Sequence, residues 1–168
     1  MPTTAELDYR EVFARFEAAA DPALAGPMRR YMRDQFEFLG LKTPLRRSLQ
    51  RPLIQAARRQ DQVDWVLVEA GWAEPAREFQ YLAVDYLRAV AERLVPGDLP
   101  RLRALAQRKS WWDTIDGLVR VVGVIAGRFP PAQATVLEWS LDPDFWIRRI
   151  AIEHQLTLGR STDTARLA

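Results

Sequence analysis

The sequence predicts an all-α protein. Apolar residues recur at helical rather than alternating spacing, as in Phe79, Leu82, Tyr86, Leu87, Val90 and Leu94. Two-residue hairpin signals are missing. Proline or a capping residue punctuates helix starts at Thr43-Pro44, Glu74-Pro75, Asp142-Pro143 and Ser161-Thr162, where an orphan N–H otherwise needs a partner. Taken in order, the spacing predicts helices near residues 5–20, 24–38, 44–58, 61–70, 75–94, 98–107, 112–128, 131–140 and 143–158. Pro52 should kink or split the third, because it removes an N–H from the helix interior. Nine helices with short connections make about four antiparallel pairs of roughly 35–40 residues each, the size of a HEAT-like unit. A curved α-solenoid of such pairs is the favoured architecture. A compact helical bundle is the other way to pack them, since no sequence repeat accompanies the pair length.

At 168 residues and 48% apolar composition, residues 1–168 should form a single domain able to bury its own core. The final stretch, STDTARLA, begins a capped helix and stops after about two turns, so the sequence reads as cut short of a last helix pair. The net charge is only +2, yet Lys42 and Lys109 are the only lysines. The pI of about 9.3 therefore rests on guanidinium groups, which grip phosphate in a planar, bidentate way. A GC-rich genome yields the same arginine usage, so charge alone does not establish a nucleic-acid partner.

With no cysteine, disulfides, thiolate nucleophiles and thiolate metal sites are excluded, and His154 alone cannot build a histidine-rich site. No protein-bound metal is expected. The start, MPTTAELDYREVF, lacks the basic and apolar run of a signal peptide, and no window approaches the roughly 20 apolar residues that span a membrane. A cytoplasmic location without membrane contact follows as the expectation.

Two constellations could carry chemistry. In KSWWDTID, residues 109–116, a helix over 112–128 gives Ile115, Leu118, Val119, Val122, Ile125 and Ala126 as its core stripe. Trp112 and Asp116, four apart, share a strip at its edge and project together. The bland alternative packs Trp112 between layers and pairs Asp116 with Arg120 one turn on. Asp113 falls in the first turn, where an acidic residue complements the helix dipole, and reads as a structural cap. In DFWIRRIAIEHQL, Arg149 shares a stripe with Phe145, Ile152 and Leu156, so its charge lies in an otherwise apolar row and needs a carboxylate or a phosphate. A structural ion pair would satisfy it. Arg148 sits about 100° further round and can stay solvated. Together the two stretches offer an aromatic face, a carboxylate and a phosphate-seeking cation. A carboxylate stabilises an oxocarbenium ion or positions water, and a tryptophan face attracts a cationic ring. A purine alkylated at N7 or N3 is such a ring, and its base leaves as a neutral molecule, so one carboxylate suffices.

These residues carry a resemblance to the AlkD-type DNA alkylation repair glycosylases, which are built from HEAT-like helical repeats. The matching stretches are YMRDQFEFLGLKTPLRRSL (31–49), REFQYLAVDYL (77–87), KSWWDTID (109–116) and FWIRRIAIEHQL (145–156). The resemblance implies that Tyr31 lines the lesion side, that Trp112 packs against the damaged nucleotide, that Asp116 is the catalytic carboxylate, and that Arg149 holds the backbone near the lesion. Asp113 and Trp111 inherit no catalytic role. It further implies hydrolysis of the N-glycosidic bond of cationic alkylpurines, chiefly 7-alkylguanine and 3-alkyladenine, in double-stranded DNA, leaving an abasic site. In this family the damaged base can stay stacked, whereas glycosylases generally extrude it. No metal or organic cofactor is implied. The family continues into further helices, one bearing another lesion-facing tryptophan, and this sequence ends at Ala168 before reaching it.

The leading expectation is thus a monofunctional DNA glycosylase, acting as a monomer without an obligate protein partner. Arg46, Arg47, Arg51, Arg148 and Arg149 are its candidates for gripping phosphate, with steep salt dependence. A non-catalytic DNA-structure-binding protein on the same scaffold is the second reading. The third is a protein-binding helical-repeat scaffold, which calls for an apolar surface in place of arginine and aspartate. Lys42 and Lys109 are poor candidates for a Schiff base, so hydrolysis by water is preferred to a lyase step.

Overall fold

Nine α-helices form among residues 8–156 and Thr162, the part of the chain that the computed structural model describes. Among the described residues there is no β-strand, only one parallel bridge between Glu37 and Ala76. The chain divides at Ala89/Val90 into two compact units. The first holds α1 (Tyr9–Ala18), α2 (Pro22–Tyr31), α3 (Thr43–Ala57), α4 (Trp65–Ala73) and α5 (Arg77–Ala89). The second holds α6 (Leu99–Ala106), α7 (Trp112–Arg128), α8 (Pro130–Glu138) and α9 (Phe145–Glu153), with 3-10 turns at Ala91–Arg93, Pro96–Asp98 and Trp139–Leu141. The expected final helix start at Ser161-Thr162 and the stretch STDTARLA lie outside the described residues, Thr162 apart.

In the first unit α4 packs on α5, and α3 packs on both α1 and α5. Phe13 and Phe16 of α1 meet Phe79 of α5 with ring centroids 4.6 and 5.8 Å apart. Along the row Phe79, Leu82, Tyr86, Leu87, Val90 and Leu94 every residue is buried, as its spacing predicts, the last two belonging to the second unit. The helix beneath it is shorter than expected: α5 ends at Ala89 and the chain continues into the 3-10 turn. α3 runs unbroken through Pro52 instead of splitting there. Pro52 and Ser48 are both exposed, so water can serve the carbonyl that Pro52 leaves without an N–H.

The largest departure from the sequence reading is at 32–42. The spacing predicts helix to residue 38, but α2 stops at Tyr31, buries none of its residues, and gives way to Arg33 and Asp34 in the left-handed region (φ 55° and 57°). What holds the following loop is a long-range anion. The fully buried carboxylate of Glu78 accepts the backbone N–H groups of Leu39, Gly40 and Leu41 at 3.0, 2.9 and 3.1 Å. Gly40, at φ +93°, is required there, because a Cβ would lie 2.1 Å from the Asp21 carbonyl oxygen. The neighbouring polar residues of REFQ are equally buried: Arg77 stacks on Phe36 at 3.7 Å, and Gln80 donates to the carbonyls of Gly71 and Glu74.

In the second unit α7 is central, packing against α6, α8 and α9. Its predicted stripe, from Ile115 to Ala126, is buried in full. Two helix starts move in from their expected positions for a local reason. Asp144, not Asp142, caps α9, its carboxylate accepting the Trp146 N–H at 2.8 Å. Asp64 likewise caps α4 through the Leu67 N–H. None of the described helices is long and apolar enough to cross a membrane.

Candidate active site on helices α7 and α9

The stretch KSWWDTID turns the chain into α7 and sorts its residues onto different faces. Lys109 takes a left-handed backbone (φ 53°), and the Ser110 hydroxyl donates to the Ala106 carbonyl at 2.6 Å, which closes α6 before α7 begins. Trp111 stands at the N-cap in extended conformation and supplies no side-chain cap, while Asp113 occupies the first turn. The favourable position of Asp113 against the helix dipole agrees with a structural part. The Trp111 ring packs against Trp146 of α9 at 5.9 Å, and Trp146 meets Phe145 edge-on at 5.1 Å. Trp111 is thus the spacer that fixes the start of α7 against α9. Its Nε1 is buried without a hydrogen-bond partner.

One turn on, the outward strip appears. Trp112 is 39% exposed, and Asp116 follows it at i+4, its side chain 45% exposed. The partner of Asp116 is Arg149 of α9, not the local Arg120. Arg149 Nε and Nη2 donate to Asp116 Oδ1 at 3.0 and 2.8 Å. The third face of the guanidinium, Nη1, lies 3.0 Å from Glu153 Oε1. Both donated bonds to Asp116 fall on one oxygen, so Oδ2 stays outside the pair. An ion pair this exposed is worth only about 1 kcal/mol or less in stability, too little to explain by itself why a carboxylate and a tryptophan are held at the surface. The site carries two carboxylates against one guanidinium, which favours a cation beside it over a second anion.

The surroundings of Arg149 differ from the sequence expectation. Its row, Phe145, Ile152 and Leu156, is exposed, while Ile147, Ile150 and Ala151 form the buried side of α9. Both sides of this helix are apolar in sequence, so periodicity alone selects the outer one. Glu153 escapes the sequence reading, although its i+4 spacing from Arg149 is a readable signal. Arg148, rather than staying solvated, donates Nη1 to the carbonyls of Asp142 and Pro143 at 2.7 and 2.9 Å. Beside it Asp142 is gripped by Arg103 at 2.5 Å, and that hydrogen bond, with a second from the Asp144 N–H, holds the Asp142 carboxyl below its ordinary range.

The other candidate residues sit in the first unit. Tyr31 ends α2 and is 73% exposed. Arg47 projects outward from α3, but Arg46 is buried, donating to Asp85 at 2.7 Å and to Gln50 at 3.0 Å. A guanidinium engaged and enclosed in this way serves the packing of α3 on α5, so Arg46 fits a structural part better than a grip on phosphate. A cavity of about 1040 Å³ in this unit, lined among others by Tyr9, Arg59, Asp64, Trp65 and Tyr86, includes none of Trp112, Asp116 or Arg149. Among the described residues no group of three or more acidic or histidine side chains is arranged to hold a metal ion.

Residues 12–168 match the family model described as DNA alkylation repair enzyme. No curated protein matches the chain. Among solved structures it is similar to one described as a predicted DNA alkylation repair enzyme from Enterococcus faecalis. The similarity is 27% identity over 88% of this chain and 70% of that one, with a TM-score of 0.77.

Proposed function

Because the chain belongs to the DNA alkylation repair enzyme family, we propose that it is a monofunctional DNA glycosylase that removes cationic alkylpurines, chiefly 7-alkylguanine and 3-alkyladenine, from duplex DNA. The observation that carries this reading is a part-exposed carboxylate, Asp116, held by Arg149 one helical turn from the exposed face of Trp112. An alkylated purine already bears a positive charge. Cleavage of the bond between C1′ and the purine nitrogen gives both electrons to the base, which departs neutral, and leaves an oxocarbenium ion at C1′. Water adds there, loses its proton, and an abasic site remains.

In this mechanism Asp116 stabilises the growing positive charge and orients the water, a preorganised electrostatic contribution of the kind that is often worth a few kcal/mol. Trp112 faces the cationic nucleotide. Arg149 holds Asp116 in place and, with Arg148, would lie along the DNA; Tyr31, in the first unit, is a candidate DNA contact on its own. The reaction needs no metal or cofactor, and the protein would work as a monomer in the cytoplasm.

The test is product identity. Incubation with a duplex carrying one 7-methylguanine should release the free base and leave an alkali-labile site at that position alone. Tight, salt-sensitive DNA binding with no base release would instead favour a DNA-structure-binding protein.

A further inference from the structure

Glu153 is the last residue of α9, and helix stability does not account for it. A carboxylate there meets the negative end of the helix dipole. Its pair with Arg149 at i+4 also runs in the less favourable order, with the cation on the N-terminal side. The two side chains are nonetheless drawn in from solvent, 29% exposed for Arg149 and 24% for Glu153, and they meet at 3.0 Å. Glu153 is explained by what it does to Arg149.

The guanidinium is a rigid plane with its N–H groups in fixed directions. A carboxylate held at Nη1 fixes how that plane is turned, and so keeps Nε and Nη2 on Asp116 Oδ1 at 3.0 and 2.8 Å. The same contact occupies a part of the fork that a phosphate would otherwise draw, since arginine pairs with phosphate as it does with carboxylate. Charge points the same way. Asp116 with Arg149 alone is a neutral pair, which attracts a cation forming beside it only weakly. Glu153 returns the cluster to net negative charge, two carboxylates against one guanidinium.

We propose that Glu153 is a positioning residue for base release. It keeps Arg149 turned onto Asp116 and away from phosphate, and it keeps the site net negative for the cationic sugar. The effect on rate rests on the glycosylase reading, and the residue acts through Arg149 and not on the nucleotide. Arg149 then lies beside the DNA without gripping it.

The experiment uses Glu153→Gln, which keeps the side chain's size and an oxygen for Nη1 but removes the charge, in the wild-type and in an Arg149→Gln background. Removing an acid from the end of α9 should leave the denaturation midpoint equal or higher, so a slower reaction does not reflect a lost fold. The saturated single-turnover rate of 7-methylguanine release should fall by about 3- to 30-fold, within the range for residues coupled through one ion-pair network. Affinity for undamaged duplex should rise at the same time, with the slope of log K against log salt steeper by about 0.9 as Arg149 takes up one phosphate. Neither change should appear in the Arg149→Gln background. A residue with a merely structural part would weaken rate and affinity together, whatever stands at position 149. An unchanged rate, weaker duplex binding, or effects that persist in Arg149→Gln would overturn the proposal. A wild-type chain that releases no base would sink the glycosylase reading instead. The hold of Glu153 on Arg149 is then read from duplex affinity alone, where Arg149-dependent tightening sustains it and the lack of that tightening removes it.

Discussion

Arg149 turns two of its N–H groups, Nε and Nη2, onto a single oxygen of Asp116, at 3.0 and 2.8 Å, while its Nη1 is held 3.0 Å from Glu153. The fork is thus shared between two carboxylates, and Asp116 keeps Oδ2 for another use. Lysine is a point charge and cannot make both contacts at once. Arg149→Lys should therefore leave stability within about 1 kcal/mol of wild type yet lower base release by about tenfold or more. Urea midpoints and single-turnover rates on the same preparations check both halves of the statement.

Trp112 is expected to read charge. A cation over an indole face gains about 0.5–2 kcal/mol, so Trp112→Ala should reduce the preference for a 7-methylguanine duplex over its neutral 7-deaza isostere by about 2- to 30-fold. Competition binding with the two duplexes measures this directly. Equal weakening toward both would leave Trp112 a general packing residue.

Glu78 is expected to matter for folding and not for chemistry. Three backbone N–H groups converge on its buried carboxylate, and leaving them unsatisfied is expensive. Glu78→Ala should cost about 3 kcal/mol or more, seen as a large fall in the denaturation midpoint.

Asp142 gives a pH signature. Its folded pKa is depressed, chiefly by the hydrogen bond from Arg103, so it contributes stability that is present above the unfolded carboxyl pKa and lost as pH falls through the folded one. Asp142→Asn should be less stable than wild type at pH 7, with the gap narrowing on acidification below about pH 4. Paired denaturation curves at several pH values give the trend, and a gap that widens toward acid contradicts it.

What is legible in the sequence is local. The stripe of α7 and the row of α5 follow from spacing alone, and both are buried. Features set by distant partners are hidden. Apolar spacing continues past Tyr31, but Glu78, nearly 40 residues on, draws the 39–41 backbone into a loop. Arg46 and Arg47 look alike in sequence, and only Asp85 separates the buried one from the exposed one. For Asp116 the near partner is Arg120 at i+4, whereas the actual partner lies 33 residues away on α9. Trp112 and Asp116 are readable as an outward pair, because their i, i+4 spacing beside a clear core stripe fixes their common side.

The central claim is that Asp116 acts through its charge on a cationic nucleotide. The direct measurement is the single-turnover rate of 7-methylguanine release by wild type and by Asp116→Asn, which keeps the side chain's size and removes only the charge. A fall of about 10²- to 10³-fold is predicted, with binding to undamaged duplex changed little. Equal rates in the two proteins would contradict the account, because the carboxylate would then have no part in breaking the glycosidic bond.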